Sequence, residues 1–280
     1  MPSVISLQSH VSFGFVGNRA AEFTLQRLGF DVWPLYTVRF SNHVGYPTWQ
    51  GRKTSAEELQ ELIDGLADRG CLTSADALLS GYLGSPELAP LLVGLMDRLN
   101  NPSRCVTLCD PVMGDHGKLY VAEALVPWFR DQLLSRSQVI TPNLFELGLL
   151  AERPVTTVSE AVAAARQLLA RGPSTVYVTS VPGREAQQIA MLAVDEQGTW
   201  QVETPRFDAV FHGTGDTFAA LLLAGHLRAQ DPAANLENAA SCLFAVVEAT
   251  VQAGGGELKL IEAQDVLLRP PRRFQAERLD

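Results

Sequence analysis

The segment Phe211-His212-Gly213-Thr214-Gly215-Asp216-Thr217-Phe218, followed by Ala219-Ala220-Leu221-Leu222-Leu223-Ala224, holds the residues best suited to chemistry. Its two glycines let backbone N–H groups curl into a concave nest. The apolar run behind them reads as a buried helix whose positive end points at that nest. An anion belongs there. Asp216, in the first turn, can take a proton from a hydroxyl while the nest holds the charge arriving on a phosphoryl group. Taken alone, a Gly-x-Gly-Asp also fits a simpler role in which Thr214 or Asp216 only caps the helix. Two better-known phosphate motifs are excluded. Gly51-Arg52-Lys53-Thr54 has the wrong glycine spacing for a Walker A loop. Gly213-Thr214-Gly215 has Phe218 where the third glycine of GxGxxG belongs, and it comes late in the chain.

Two further clusters follow the same placement. Cys109-Asp110-Pro111-Val112-Met113-Gly114-Asp115 comes directly after the apolar run Cys105–Leu108. Ligands of open α/β sheets sit beyond the carboxyl ends of such strands, so Asp110 and Asp115 would flank the crevice. In Thr141-Pro142-Asn143-Leu144-Phe145-Glu146, Thr141 and Pro142 make a cap-and-proline helix start that leaves Asn143 and Glu146 one turn apart on one face. Oxygen ligands at that spacing, with water between, suit Mg²⁺ on a nucleotide. Each cluster alone also reads as ordinary helix-start and loop chemistry; their occurrence at successive strand ends is what points to a site.

The elements that must carry these clusters are legible from hydrophobic period. Strand candidates are Val4–Gln8, Asp31–Phe40, Ala75–Gly81, Cys105–Cys109, Gln138–Ile140, Thr175–Thr179, Ile189–Val194 and Trp200–Pro205. Several are continuous apolar runs, as expected of strands covered on both faces. Between them lie helices with readable starts. Ser55 with Glu58 forms a capping-box pattern before Leu59, Leu62 and Leu66, Ser85-Pro86-Glu87 precedes Leu88–Leu99, and Ser159 opens Glu160–Leu169, which closes at Arg171-Gly172. This alternation predicts a mostly parallel sheet sandwiched by helices. Residues 40–54, with Gly45, Pro47 and Gly51, read as a flap, residues 182–207 as an antiparallel edge, and Arg269-Pro270-Pro271-Arg272-Arg273 as a surface loop.

Composition narrows the class. The chain has 280 residues, 46% hydrophobic and 19% charged, enough apolar content and little enough charge to exclude disorder. One large domain spanning 1–280 is expected, and a chain this long needs neither disulfides nor metal to stand. A net charge of −9 argues against broad binding of nucleic acid or anionic membrane. Cys71, Cys105, Cys109 and Cys242 form no CxxC or zinc spacing and read as free thiols in a reducing compartment. Met1 leads straight into the strand-like Ser3-Val4-Ile5-Ser6-Leu7, and no stretch approaches 18 uninterrupted apolar residues, so a soluble, cytoplasmic protein is expected.

The order of these motifs resembles a known family. Ser9-His10-Val11, Gly14 to Asn18, Phe40-Ser41-Asn42-His43 with Tyr46, Asp110 to Asp115, Thr141-Pro142-Asn143 with Phe145-Glu146, Thr179-Ser180 and Gly213-Thr214-Gly215-Asp216 are similar to pyridoxal kinase of the ribokinase superfamily, from about residue 3 to the C-terminus. The resemblance implies a ribokinase-like three-layer α/β/α sandwich with an antiparallel edge. It implies that Asp216 is the base toward the 5′-hydroxymethyl group and that Gly213, Thr214 and Gly215 form the anion hole for the γ-phosphoryl group. By the same resemblance Ser9 hydrogen-bonds the pyridine ring, and Val16, Phe40, His43 and Tyr82 line the pocket. Asp110, Asp115, Tyr120, Thr141, Asn143, Glu146, Thr179 and Ser180 fall on the ATP side, with Asp110, Asp115 and Glu146 toward Mg²⁺ and a monovalent cation such as K⁺ nearby. The implied partners are ATP, a B6 vitamer and a second copy of the chain.

Two departures stand out. Val44 replaces the threonine usual after Phe-Ser-Asn-His, exchanging a hydroxyl for a methyl near the substrate. Only His116, Gly117, Lys118 and Leu119 separate Asp115 from Tyr120, so the loop over ATP is expected to be short, with Lys118 within reach of a phosphate. Two other functions fit the same residues: a hydroxymethylpyrimidine kinase, which changes only the pocket, and a non-catalytic vitamin B6 binding or delivery protein, against which the intact Asp216 counts.

Overall fold

Strands without polar alternation need helices on both faces, and the computed structural model, which describes residues 1–99 and 104–280, supplies them. The strands are β1 (Ser3–Val11), β2 (Asp31–Phe40), β3 (Gly51–Lys53), β4 (Ala77–Ser80), β5 (Val106–Cys109), β6 (Gly114–Asp115), β7 (Lys118–Leu119), β8 (Val139–Ile140), β9 (Thr175–Pro182), β10 (Gln188–Asp195), β11 (Thr199–Pro205) and β12 (Glu277–Arg278). The α-helices are α1 (Asn18–Arg27), α2 (Ala56–Asp68), α3 (Cys71–Ser74), α4 (Ala89–Leu99), α5 (Val126–Trp128), α6 (Leu144–Ala151), α7 (Val158–Leu169), α8 (Thr214–Leu227) and α9 (Pro232–Gln252).

Ten strands form one sheet in the order β12-β11-β10-β9-β8-β5-β4-β1-β2-β3. The run from β9 to β2 is parallel, while β10, β11 and β12 make the expected antiparallel edge. At the other end β3 returns antiparallel on β2, inside residues 40–54, the stretch that the sequence marks as a flap, and closes the loop 41–50. The chain steps from β1 to β2 on one side, then crosses back to β4 on the other side of β1. That reversal is a topological switch point, and it opens a crevice at the carboxyl ends of β1 and β4.

Strand parity sorts the core into two layers. Ile5, Leu7, Leu78, Cys109, Ile140 and Val178 pack with residues of α2, α4, α6 and α7, while Val4, Leu79, Leu108, Val139 and Tyr177 pack with residues of α1, α8 and α9. Each such buried aliphatic side chain contributes about 1.5–3 kcal/mol. Helix α8 is apolar on every side because it is buried on every side: Phe218 to Ala224 are all sealed from solvent, against α1 and α9. Its start is thereby held at the sheet's carboxyl edge.

Several helix starts differ from the sequence reading, each for a local reason. Ser55 caps α2, its Oγ accepting the Glu58 N–H at 3.1 Å, but Glu58 turns outward to Arg39 instead of completing the box. Leu59 and Ile63 form the buried stripe of α2, while Leu62 is exposed. Ser85 makes no side-chain cap; Pro86–Leu88 form a 3₁₀ turn and α4 begins only at Ala89. The cap of α7 is Thr157, not Ser159, in a reciprocal box with Glu160. Likewise α6 is capped by Asn143, two residues beyond Thr141. The four cysteines are free thiols, and among the described residues no helix is long and apolar enough to cross a membrane.

Candidate active site

The turn into α8 is shaped by contact as much as by composition. Gly213 has φ +84°, and a Cβ there would lie 1.7 Å from the Phe15 carbonyl oxygen, so no other residue fits. No side chain caps the first turn of α8. Thr214 is not the cap, because its Oγ1 donates to the Phe211 carbonyl at 3.2 Å, and Thr217 Oγ1 donates to Gly213 O at 2.8 Å. The leading N–H groups are therefore available to an anion. Asp216 stands half-buried beside them. Burial raises its carboxyl above the usual aspartate range, opposed by the N–H of Gly17 and by its own amide, both of which favour the ionised form.

Across the cleft lies Asp110, only 6% exposed. Thr141 Oγ1 donates to its Oδ1 at 3.1 Å. Burial, then the neighbouring Glu146 and Asp216 carboxylates, push the Asp110 carboxyl well above its ordinary value. Glu146, 4% exposed, uses both oxygens on backbone. Its Oε1 accepts the N–H groups of Met113 and Gly114 at 2.9 and 3.3 Å, and its Oε2 accepts that of Asn143 at 2.9 Å. Asn143 reciprocates, Oδ1 accepting the Glu146 N–H at 2.9 Å and Nδ2 donating to Gly114 O at 2.8 Å. This pair fastens the Asp110–Gly114 loop to the start of α6.

The expected trio of Asp110, Asp115 and Glu146 does not converge on one point. Asp115 sits on the β6–β7 hairpin with Oδ1 accepting the His116 N–H at 2.8 Å, and among the described residues no three acidic, histidine or cysteine side chains form a metal cage. With both Glu146 oxygens held by backbone N–H groups, Asp110 is the buried carboxylate facing the α8 turn. The hairpin turns on just His116 and Gly117, φ +48° and +77°, the pattern of a two-residue type I′ turn. It is as short as expected, with Lys118 exposed and Tyr120, 55% exposed, hanging its N–H on Met113 O at 2.8 Å.

Thr179 and Ser180 together oppose the single residue Met191, a bulge that breaks the β9–β10 register. Thr179 N–H donates to Pro142 O at 3.0 Å, and Ser180 takes φ +58°, a left-handed value that a non-glycine residue adopts at a cost. Such bulges re-aim side chains at strand ends.

The residues expected on the substrate side gather at the switch point. A second bulge sets Ser9 of β1 against Thr37 and Val38 of β2. Gly17, φ +55°, lies so close that a Cβ there would be 2.2 Å from Ser9 Oγ. The same Gly17 reaches Asp216, which ties the Ser9 region to the α8 turn. Asn18, fully buried, donates through Nδ2 to the carbonyls of Ser6, Gln8 and Leu35 at 3.1, 3.3 and 3.2 Å, pinning α1 to β1 and β2. Val11, Val16, Val38 and Phe40 form a small apolar cluster with Tyr82 packed against it. Phe40 and Trp49 pack as a tilted pair with centroids 4.5 Å apart, and His43 stacks on His212 at 4.1 Å. Val44 is 47% exposed on the loop.

Glu257 joins the rim from outside the sequence-predicted set. Its Oε1 accepts the Tyr46 hydroxyl at 2.6 Å and its Oε2 the Phe15 N–H at 3.1 Å. The visible signal for it is the preceding Gly254-Gly255-Gly256, all at positive φ; nothing in the local pattern links it to Tyr46.

Comparison with known proteins agrees with this geometry. The phosphomethylpyrimidine kinase family model matches residues 71–260. Pyridoxal kinase PdxY of Corynebacterium diphtheriae is 42% identical over 285 residues, covering 99% of each chain, and its counterpart in Rubrobacter xylanophilus is 42% identical over 99% of this chain and 97% of its own. Among solved structures, pyridoxal kinase from Leishmania donovani in complex with ADP and pyridoxamine superposes with a TM-score of 0.93 at 31% identity, covering the whole of both chains. Similarity at this level over the full length, with the sheet order and the α8 turn already described, has one meaning: the chain belongs to the pyridoxal kinase family.

Proposed function

We propose that this chain transfers the γ-phosphoryl group of ATP to the 5′-hydroxymethyl group of pyridoxal, and of pyridoxine and pyridoxamine, forming the 5′-phosphates in vitamin B6 salvage. The observation that carries this reading is the placement of Asp216: a half-buried carboxylate in the first turn of α8, beside uncapped amides and linked through Gly17 to Ser9. In this reading the Asp216 carboxylate accepts the hydroxyl proton as the oxygen bonds to phosphorus. A weak base suffices because the loose transition state of phosphoryl transfer releases that proton late. The Thr214 and Gly215 amides take the charge on the transferring oxygens. Ser9 orients the ring, while Val16, Phe40, His43 and Tyr82 enclose it and exclude water.

The oxygen-only donor set on the nucleotide side fits Mg²⁺ carried on ATP. Glu146 and Asp216 each act electrostatically on Asp110, and among the described residues no lysine or arginine forms an ion pair with any of the three. Asp110 would hold the ion, directly or through water, with Glu146 keeping its loop in place. When bound, the ion neutralises the β- and γ-phosphate oxygens. Thr141, Asn143, Thr179 and Ser180 would border the nucleotide. The family resemblance also supports a homodimer in solution, which sedimentation equilibrium tests.

A second reading, a hydroxymethylpyrimidine kinase, has one observation in its favour, the family model matched at 71–260. That match leaves out Ser9, Gly17 and the 41–50 loop, the residues that would choose the ring. The deciding experiment is a coupled assay of ADP release with MgATP and each of the three B6 vitamers, hydroxymethylpyrimidine and ribose. Turnover of the vitamers with accumulation of pyridoxal 5′-phosphate is expected; preference for the pyrimidine would overturn the proposal.

A further inference from the structure

Besides Asp216, the only ionisable side chain in Phe211–Phe218 is His212, and the mechanism above gives it no role. It is exposed but not isolated. Its ring lies on that of His43 with centroids 4.1 Å apart and planes inclined by 28°. The two come from distant parts of the chain: His43 from the loop between β2 and β3, His212 from the residue before the α8 turn. Gly45 fits beneath both rings, since a Cβ there would stand 2.8 Å from His43 Nδ1 and 3.5 Å from His212 Nε2. The Gly45 N–H donates to His43 Nδ1 at 3.0 Å. With Nδ1 accepting, the proton of the neutral imidazole is on Nε2.

From this arrangement we infer that His212 is a positioning residue for the phosphoryl acceptor: its ring clamps His43, and with it the 41–50 loop, against the phosphate turn, and fixes the Nε2–H edge that His43 presents. The inference rests on the kinase reading, in which His43 lines the pocket. It joins two parts of the site that must move together, the ring pocket and the anion hole, through one stacked pair. Glu257 secures the same loop two residues past Val44 by accepting the Tyr46 hydroxyl.

The clamp has an acid limit. Burial, then the facing His212, hold His43 below the ordinary histidine range, while the Glu257 carboxylate pulls it upward. Glu257 and Tyr46, joined by their hydrogen bond, are the other titratable groups placed around the pair. The facing His212 opposes charge on His43, so lowering the pH until His43 takes a proton weakens the stack.

Two variants separate stacking from mere folding. His212→Phe keeps a flat ring and removes the imidazole nitrogens; His212→Ala removes both. The expected result is that Ala raises KM for pyridoxal about three- to tenfold, the range for losing one aromatic pair, with KM for ATP changed less than twofold. Phe should keep KM for pyridoxal near wild type at pH 7.5 and flatten its rise toward acid pH. Independently of turnover, the His43 Cε1 proton followed by NMR should titrate at higher pH in the Phe variant than in wild type, because the facing charge is gone. An unchanged KM for pyridoxal in the Ala variant, equal damage from Ala and Phe, or an unmoved His43 titration would each overturn the inference. Failure of the wild-type chain to phosphorylate any vitamer would instead overturn the kinase reading, and the NMR titration would still decide whether the rings are coupled.

Discussion

Asp110 and Gly215 face one another across the cleft: a Cβ placed on Gly215 would lie 3.9 Å from Asp110 Oδ2. A phosphate received by the Gly215 amide would therefore sit beside a buried carboxylate. Two like charges about 4 Å apart repel by roughly 4 kcal/mol at the effective dielectric of a protein surface. That is enough to cancel the attraction of an uncapped helix start, worth about 0.3–2 kcal/mol. Under the proposed reaction a cation carried on the nucleotide would relieve that repulsion, and Asp110 would then couple nucleotide binding to Mg²⁺.

The sign of that coupling can be checked with Asp110→Asn. The Asp110 pKa is raised in the folded chain, so its protonated form is favoured there. The ligand-free protein then loses stability as pH rises from the ordinary carboxylate range through the raised value. The asparagine variant should have a ligand-free Tm equal to or above wild type at pH 8. It should also lose most of the Tm increase that MgADP produces, an increase that in wild type grows as pH rises through the raised value. Thermal melts with and without MgADP across that range decide it; an undiminished MgADP effect in the variant would remove Asp110 from the metal side.

Asp216→Asn tests the proton acceptor. General-base groups contribute about 10²–10⁴-fold, so kcat should fall within that range while KM for ATP changes little. Because burial raises the Asp216 carboxyl, the wild-type kcat/KM should decline on the acid side at a pH above the usual aspartate range, as the base becomes protonated. The variant should lack that limb. Near-normal turnover would end the mechanism.

The layout of the sheet was readable because its strands are continuous apolar runs, and because Ser55 and the basic, glycine-marked end of α7 are local signals. The misplaced starts have one cause. Ser85, Ser159 and Thr141 are plausible caps by type, but which hydroxyl or amide meets an N–H depends on how the preceding loop enters. Asn143 won at α6 because Glu146 answers it. Glu146 itself read as a ligand, since spacing puts it on the right face; that its oxygens serve Met113 and Gly114 depends on a loop some thirty residues upstream. His212 and Glu257 went unassigned for the same reason. Their partners, His43 and Tyr46, approach only once β3 has folded the 41–50 loop back over the carboxyl ends of the strands.

Ser9→Ala examines the proposed ring contact of Ser9, a residue that the β1 bulge and Gly17 hold in place. Losing one hydrogen bond costs about 0.5–1.5 kcal/mol, or roughly two- to twelvefold in binding. KM for pyridoxal should rise by that factor and KM for ATP should not. The reverse pattern in steady-state kinetics would mean that Ser9 faces the nucleotide.

Val44→Thr asks what the departure from the family pattern does. Residue 44 stands between His43, held by the His212 ring, and Tyr46, held by Glu257, so the new hydroxyl would be presented without rearranging the backbone. Its side chain is 47% exposed, and exchanging a methyl for a hydroxyl there costs little stability. If the hydroxyl reaches a ring substituent, it adds about 0.5–1.5 kcal/mol of binding, up to roughly tenfold. Pyridoxal, pyridoxine and pyridoxamine differ at one ring position, so the gain should be unequal among them, appearing in KM with kcat unchanged. Kinetics with all three vitamers measure it directly, and KM values that move for none of them would place residue 44 outside the pocket.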